Sequence, residues 1–564
     1  MGGAPEIQAM LFITIISLIV AKALTALNTQ ITSSQFTRIT TISLIFSGLI
    51  SLNCLNLETI GSGIGIYSGL FHITQISQIF EIFIYLIGGF ILMGWYQPIP
   101  SVSYKGILAN PRLGLGLGNT LNIKNQSDYS LIVLFSILGS SLLISSFDLI
   151  SIYLSIELQS FGLYVLSTLY KDSESSTSSG LKYFLLGGLS SCIILLGIGL
   201  IYSYTGITNL ESLYLLNTVT YPLASAAQAG NTGSVLEGLS LGLILIFVGF
   251  LFKIAASPLH NWSPDVYDGT PTIVTSWLTI IPKISILILL LELQIQIGSA
   301  DTIIGGAAKA AFIIGNTGYL LDLSSAVANA SKSLLLISSL LSLIIGSLLG
   351  LAQIRIKRLL AYSTISHIGF LLLALAINSE QSIDSFLFYI IVYTMTNLNI
   401  FLIILAFTYI ISKDTRDIRY LSEFKGLFFS NPFLSLSLAV SLFSMAGIPP
   451  LIGFFSKQFV LYSALQNGYY FISILAIIVS VISASYYLKI VKLLVESPLS
   501  VATVGSVVND THLPAKAEVD MKVELSNVHS YLISILTVTI LLFFIKPSII
   551  LNSSKLLTLS LFYI

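Results

Sequence analysis

Runs of about 20 apolar residues recur from one end of this chain to the other, and a helix of that length spans the roughly 30 Å hydrocarbon core of a bilayer. No other feature limits the fold as strongly. Backbone amides in lipid must be satisfied within the chain, which only helices and closed barrels achieve. A barrel would show shorter segments of alternating hydrophobicity. The runs here are continuous, so the expected fold class is an all-α polytopic membrane protein. Composition agrees: 55% of the 564 residues are hydrophobic and 9% are charged, against about 25% charged in a soluble domain.

Scanning for such runs predicts about fourteen spans. They lie near residues 8–27, 36–55, 77–95, 128–146, 148–169, 181–204, 236–257, 272–294, 333–353, 358–378, 384–411, 432–463, 469–491 and 530–551. Long connections are expected over 96–127, 205–235, 295–332 and 492–529. The third contains AAFIIGNTGYLLDL, interrupted by Gly315, Asn316 and Gly318 and carrying Asp322, which reads as a partly ordered loop. The fourth is the most water-like stretch, and His512 within it is expected to be solvated. GLGLGN, from Gly114 to Asn119, is read as a turn, since no βαβ unit surrounds it to make a phosphate site.

Lysine plus arginine equals aspartate plus glutamate at 25 each, so net charge points to no nucleic-acid partner. Cys54 and Cys192 are the only cysteines. Two thiols make no familiar metal or cluster site, so no disulfide, haem or iron–sulfur ligation is expected. The first apolar run has no basic residue ahead of it, unlike a secretory signal, and reads as a retained helix.

Cations fall on one set of connections. Those after odd-numbered spans carry Lys171, then Arg355, Lys357 and Arg358, then Lys413, Arg416, Arg419 and Lys425, then Lys492, Lys516 and Lys522; Lys105, Arg112 and Lys124 agree, and Arg38 less clearly. From the fourth span onward the even-numbered connections carry only Lys309 and Lys332. The positive-inside rule then puts the basic connections in the cytoplasm or matrix and both termini on the outer side.

Against this background a few charges stand inside spans. Glu157 lies about ten residues from each edge of its run, and Lys253 and Lys283 flank a stretch broken by Pro258, Pro264 and Pro271. Lys457 follows a second interruption at Gly447, Pro449 and Pro450. A proline removes an amide and displaces the carbonyl four residues earlier, so these breaks should free the carbonyls of Ile254, Met445 and Ala446. A lysine at membrane depth costs roughly 2.5–3.5 kcal/mol on insertion scales and needs a functional reason. Desolvation favours the neutral amine and a nearby carboxylate favours the ammonium, so a Glu157–Lys253 pair with Lys283 beside it has the logic of a proton relay. Broken helices that turn backbone dipoles toward a charged site are the usual transporter device.

Each feature also has a structural reading. Glu157 and Lys253 are equally a buried ion pair, and Lys283 and Lys457 have no evident carboxylate of their own. His260 and His367 are either packing residues or, because imidazole titrates near neutrality, links between lysines. Asp265 and Asp268 read as helix caps, Trp262 and Trp277 as interfacial anchors. Lys22, Glu81, Lys182, Lys489 and Lys546 read as side chains that snorkel to the interface.

Four blocks carry a resemblance: DLISIYLSIELQSFGLYVLSTLYKDSESSTSSGLKYFLLGGLSS, SPLHNWSPDVYDGTPTIVTSWLTIIPKI, LAQIRIKRLLAYSTISHIGFLLLAL and FSMAGIPPLIGFFSKQFVL. In order and content they resemble the chain 2 family of NADH:ubiquinone oxidoreductase, the antiporter-like membrane subunits of respiratory complex I, called subunit N in bacteria. The resemblance runs over about residues 128–490; the first three spans match in number rather than motif. It implies fourteen helices with two inverted five-helix repeats, spans 4–8 and 9–13, in which helices 7 and 12 are discontinuous. The implied division is residues 1–127, an N-terminal three-helix segment and loop; 128–294, the first repeat; 333–491, the second; and 492–564, a polar loop and C-terminal helix. It further implies that Glu157 and Lys253 are the paired residues, Lys283 the bridging lysine and Lys457 the terminal lysine of a proton channel. His260 and His367 sit in matching motifs and are carried over as members of the hydrophilic axis. Lysine at 457 is similar to chain 2 and unlike chain 4.

The resemblance implies a proton-translocating subunit with no cofactor of its own, NADH, FMN, iron–sulfur clusters and ubiquinone belonging to other subunits. Its partners would be the other membrane-arm subunits of complex I, neighbouring antiporter-like subunits among them, and lipids. Two other readings stay open: a subunit of a multisubunit cation/proton antiporter, and a non-conducting spacer of the membrane arm. The Ile-, Leu-, Ser- and Tyr-rich composition suits the mitochondrial inner membrane, with a bacterial plasma membrane as the alternative.

Overall fold

In the computed structural model, residues 3–28, 33–55, 63–94, 126–170, 173–223, 231–312, 324–411, 417–496 and 525–562 are described. The chain opens with α1 (Gly3–Asn28), α2 (Ser33–Cys54), a hairpin of β1 (Ile64–Ile66) and β2 (Phe71–Ile73), and α3 (Gln75–Gly94). Then come α4 (Gln126–Ser145), α5 (Leu149–Ser167), α6 (Glu174–Thr205), α7 (Leu210–Leu223), α8 (Asn231–Ile254), α9 (Trp262–Gly269) and α10 (Thr272–Phe312). A second set follows: α11 (Ser324–Leu351), α12 (Ile356–Ile377), α13 (Glu380–Ile411), the short α14 (Leu427–Ser430), α15 (Pro432–Ala446), α16 (Ile452–Gln466) and α17 (Tyr470–Val495). The chain closes with α18 (Asn527–Leu542) and α19 (Ser548–Phe562). Ten of the described helices are long and apolar enough to cross a membrane. Four shorter apolar helices include α8 and α15, the first halves of the interrupted seventh and twelfth spans.

The breaks fall where proline and glycine require them. α8 stops at Ile254, where Ala255 takes a positive φ and the Ala256 amide reaches back to the Leu251 carbonyl. α15 stops at Gly447, whose φ of +87° is the left-handed cap that glycine adopts without penalty. A third break was not expected. The apolar run 530–551 bends after the turn Phe543–Ile545, because Pro547 cannot continue the amide ladder. Helix also extends where connections were expected. α7 lies within 205–235, and α10 continues to Phe312, since polarity ends a membrane crossing but not a helix of good formers. Most of AAFIIGNTGYLLDL, GLGLGN, His512 and the cations Lys105, Arg112, Lys124, Lys171, Lys413, Arg416, Lys516 and Lys522 lie outside the described residues.

The stretches α4–α10 and α11–α17 share the same local contacts. The start of α5 is pinned by Leu149 N–H donating to Thr208 O and by Leu210 N–H donating to Phe147 O. The start of α12 is pinned the same way, by Ile356 N–H to Arg419 O and Leu421 N–H to Ile354 O. Gly139 on α4 lets α5 approach until a Cβ there would lie 2.5 Å from Gln159 N; Gly346 on α11 does the same for α12, at 2.6 Å from Ser366 N. Gly162 on α5 and Gly369 on α12 make the reciprocal approaches to Ser136 and Ser342. With no hydrophobic force between helices in lipid, such small-residue contacts are what holds them together. This register puts Thr364 of α12 where α5 has Glu157.

Contacts between connections define the two faces of the bundle. On one, Asn209 donates to Gly69 O, Thr208 to Asp148, and Asn467 to Ser379, all from connections after even-numbered spans. On the other, connections after odd-numbered spans meet in ion pairs, Lys182–Asp265, Arg358–Asp265, Arg355–Asp268, Lys357–Asp417 and Lys425–Glu496. α5 and α12 start on opposite faces, so the two sets run in opposite senses. Glu81 does not snorkel: it is 2% exposed and accepts from Gln8 Nε2 at 3.4 Å.

Gly139→Val and Gly346→Val are each expected to force the paired helices apart, an overpacking cost of about 1–3 kcal/mol. A lowered thermal midpoint of the purified assembly would show it; unchanged midpoints for both would refute the packing role.

Candidate functional site

The two broken spans place lysine amines inside the bundle against oxygen atoms. Lys253, in the last turn of α8, donates to Glu157 Oε1 of α5 at 3.4 Å, with side chains only 7% and 15% exposed. The helix C-terminus itself favours a cation there, since its final carbonyls lack amide partners. At 3.4 Å the contact is loose beside the 2.7 Å of the Lys357–Asp417 pair, and charge-assisted bonds are usually 2.7–2.9 Å.

Lys283 follows Pro282 inside α10 and is 3% exposed. Among the described residues no carboxylate meets it; its Nζ donates to Thr364 Oγ1 of α12 at 3.1 Å and lies 5.4 Å from the centre of the Tyr267 ring. Between Lys253 and α10 is a cavity of about 20 Å³, lined in part by Gln159, Ser160, Tyr164, Lys253 and Pro282, room for about one water. Gln159 of its wall donates from Nε2 to Ser285 Oγ at 2.9 Å.

Lys457 of α16 reaches back across the second break. Its Nζ donates to the carbonyls of Met445 and Ala446, both at 2.9 Å, the same two acceptors that Pro449 and Pro450 should free. His367 of α12 stands between Lys283 and Lys457 and feels the charge of both. Its Nδ1 lies 2.7 Å from Tyr389 OH and its Nε2 3.3 Å from Tyr487 OH. His260 is placed differently: it sits in the first break with Nδ1 3.2 Å from Pro258 O and its ring tilted against Tyr362. The structure thus joins Lys253 to Glu157, Lys283 to Thr364, His367 to two tyrosines and Lys457 to two freed carbonyls, and puts His260 against Pro258.

Several expectations need correction. Trp262 and Trp277 are not interfacial anchors. They are 4% and 0% exposed, and their indole N–H groups donate to Phe252 O and Ser136 Oγ. Asp265 and Asp268 are not caps but partners of Lys182, Arg355 and Arg358, and Asn261 holds the α9 cap position. Lys182 is paired rather than merely snorkelling. Sequence reading missed Thr364, Tyr389, Tyr487 and Gln159. A signal existed for some: Thr364 precedes His367 by three residues, and Tyr389, Tyr393 and Asn397 recur every four along otherwise apolar α13, each spacing giving one helical face.

A membrane bundle of two oppositely oriented halves, each with a broken helix and a buried lysine, defines the class of antiporter-like ion-translocating subunits. The sequence matches the family described as NADH:quinone oxidoreductase/Mrp antiporter, TM, over residues 146–321 and 302–483. It is 46% identical to NADH-ubiquinone oxidoreductase chain 2 of Rhizopus oryzae, covering 98% of this chain and 100% of that one. It is 38% identical to the chain 2 of Marchantia polymorpha over 66% of this chain and 67% of the relative. The fold resembles a chain of respiratory complex I from Thermus thermophilus with bound aureothin, with a TM-score of 0.67, 23% identity, and coverage of 97% and 98%. The chain belongs to the NADH:quinone oxidoreductase/Mrp antiporter family, in its chain 2 branch.

On the charged face, Asp417 joins the two halves. It accepts from Thr272 N–H at 2.9 Å and Thr272 Oγ1 at 2.6 Å at the start of α10, and from Lys357 Nζ at 2.7 Å. Burial alone would raise the Asp417 carboxyl; Lys357 and the Thr272 bonds outweigh it and hold the group below the usual carboxylate range. A depressed folded value adds stability that is complete above the ordinary value of about 3.9 and is lost as pH falls through the depressed one. Asp417→Asn should therefore lower stability by up to about 3 kcal/mol, and equally at every pH between about 6 and 8. Thermal unfolding of the purified assembly across that range tests this; a cost that vanishes within it would contradict the assignment.

Proposed function

We propose that this chain is the proton-translocating membrane-arm subunit of respiratory complex I and that Glu157, Lys253, Lys283, His367 and Lys457 carry the proton. The observation behind this reading is that one buried lysine has a carboxylate while, among the described residues, the next two are met only by neutral oxygens. An ammonium held by dipoles alone tolerates loss of its proton far better than one in a tight ion pair. Lys253 is the switchable end. While Glu157 holds it, the proton stays; when charge in a neighbouring subunit draws Glu157 away, the proton leaves through the small cavity toward Lys283. From there it passes by Thr364 and His367 to Lys457. Coupling is electrostatic, and inside a low-dielectric bundle a single charge is felt over many ångströms.

On this reading the redox chemistry belongs elsewhere. NADH, FMN, iron–sulfur clusters and ubiquinone are handled by other subunits, and this chain acts within the NADH:ubiquinone reductase as the part that moves protons. Among the described residues there is no group of three or more His, Cys, Asp or Glu poised to hold a metal. The partners are neighbouring antiporter-like subunits of the membrane arm, together with lipids against the outer apolar faces. The chain is a multi-pass protein of the mitochondrial inner membrane, a placement favoured over a bacterial plasma membrane by the fungal relative. His260, in the first break with Nδ1 3.2 Å from Pro258 O, is on this reading a further member of the hydrophilic axis.

Lys457→Met and Lys253→Met, in assembled complex in sealed membrane vesicles, are expected to cut NADH-driven proton pumping at least about tenfold, as loss of a proton-transfer group does. Proton uptake measured against NADH oxidised decides the matter. A normal ratio in both assembled variants would sink the relay and favour the spacer reading.

A further inference from the structure

His367 is enclosed by tyrosines whose hydroxyls the lysine relay leaves unused. Tyr389 and Tyr393 come from α13 and Tyr487 from α17, and they are 1%, 3% and 0% exposed. Both ring nitrogens of His367 are engaged, Nδ1 with Tyr389 OH at 2.7 Å and Nε2 with Tyr487 OH at 3.3 Å. The two hydroxyls thus meet opposite nitrogens of the ring. Tyr487 sits beside Ser363, the neighbour of the Thr364 that takes the Lys283 bond. Tyr389 stacks on Phe370 at 6.0 Å, and Lys457 Nζ lies 5.7 Å over that same Phe370 ring.

A neutral imidazole has one donor and one acceptor nitrogen, and a phenol both donates and accepts. An imidazole between two phenols therefore forms a continuous donor–acceptor chain in a site closed to solvent. A packing histidine needs only one such partner.

We propose that Tyr389 and Tyr487 are relay residues, the hydroxyls through which the proton enters and leaves His367. This rests on the relay reading above. The step balances without any co-reactant. The Tyr487 O–H proton moves to Nε2 as an incoming proton replaces it on the oxygen; the Nδ1 proton moves to Tyr389, whose own O–H proton departs toward Lys457. One proton enters, one leaves, and all three groups end neutral. The imidazole is left as the Nε2–H form, and the next proton passes only after it and the hydroxyls reorient.

The test uses Tyr389→Phe and Tyr487→Phe, which remove an oxygen and keep the ring, in assembled complex in sealed vesicles. The readouts are proton uptake per NADH oxidised and the solvent deuterium isotope effect on pumping. Each variant should lose pumping about tenfold or more and show a larger isotope effect, because proton transfer becomes limiting. Tyr85→Phe, which removes an equally buried hydroxyl away from the line, should pump normally. A packing role alone would leave the isotope effect unchanged and overturn the proposal. Normal pumping by both variants, with pumping lost in His367→Gln, would overturn it while leaving the relay standing. Normal pumping by His367→Gln would bring down the relay and this proposal together. Should one phenylalanine variant fail to assemble, the other decides.

Discussion

A lysine amine buried in a membrane bundle must be met by oxygen, and the irregular features of this chain supply it. A continuous helix spends its carbonyls on its own amides and has only their second lone pairs to offer. Breaking the helix at Pro449–Pro450 turns Met445 and Ala446 outward, and Lys457 takes both. Ending α8 at Ile254 places Lys253 at a helix C-terminus and within reach of Glu157. Lys283 has no break of its own; Pro282 leaves α10 continuous, and a threonine from the other half supplies the oxygen. Solvating charge with backbone and hydroxyl dipoles costs helix continuity but avoids a permanent counter-ion, and mobile protons require that.

The two halves are built alike yet carry different charge. Gly139 and Gly162 set α4 against α5 as Gly346 and Gly369 set α11 against α12. In that shared register Glu157 is matched by Thr364. The matched positions thus present a carboxylate to Lys253 and a neutral hydroxyl to Lys283. Rigidity comes from the opposite choice. On the charged face, Asp417, Lys357, Arg355, Arg358, Asp265 and Asp268 tie α9 and the start of α10 to the start of α12 in close ion pairs. α10 and α12 carry Lys283 and His367.

Much of this was legible in the residues. Apolar run length announced the helices, and Pro258, Gly447 and Pro449 announced the breaks, because both follow from local backbone chemistry. The cost of charge in lipid singled out Glu157, Lys253, Lys283 and Lys457. Burial of neutral or amphipathic side chains was not legible. Trp262, Trp277 and Glu81 suit an interface as well as an interior, and only their neighbours decide. Asp265 and Asp268 read as caps because capping is local, whereas their partners lie some ninety residues away along the chain. The bend at Pro547 was missed because hydropathy stays high across it.

The sequence by itself determined that the chain spans a membrane many times, that two spans are broken, and which charges are too costly to be incidental. Those are properties of short segments and of single side chains in a low-dielectric medium. Only the tertiary structure decided which of them meet. It paired Lys253 with Glu157, gave Thr364 to Lys283 and two carbonyls to Lys457, set His367 between two tyrosine hydroxyls, and put His260 against the Pro258 carbonyl. Hydrogen-bond geometry depends on helix register and on how closely backbones approach. That is settled by contacts such as Gly139 of α4 against α5 and Gly346 of α11 against α12.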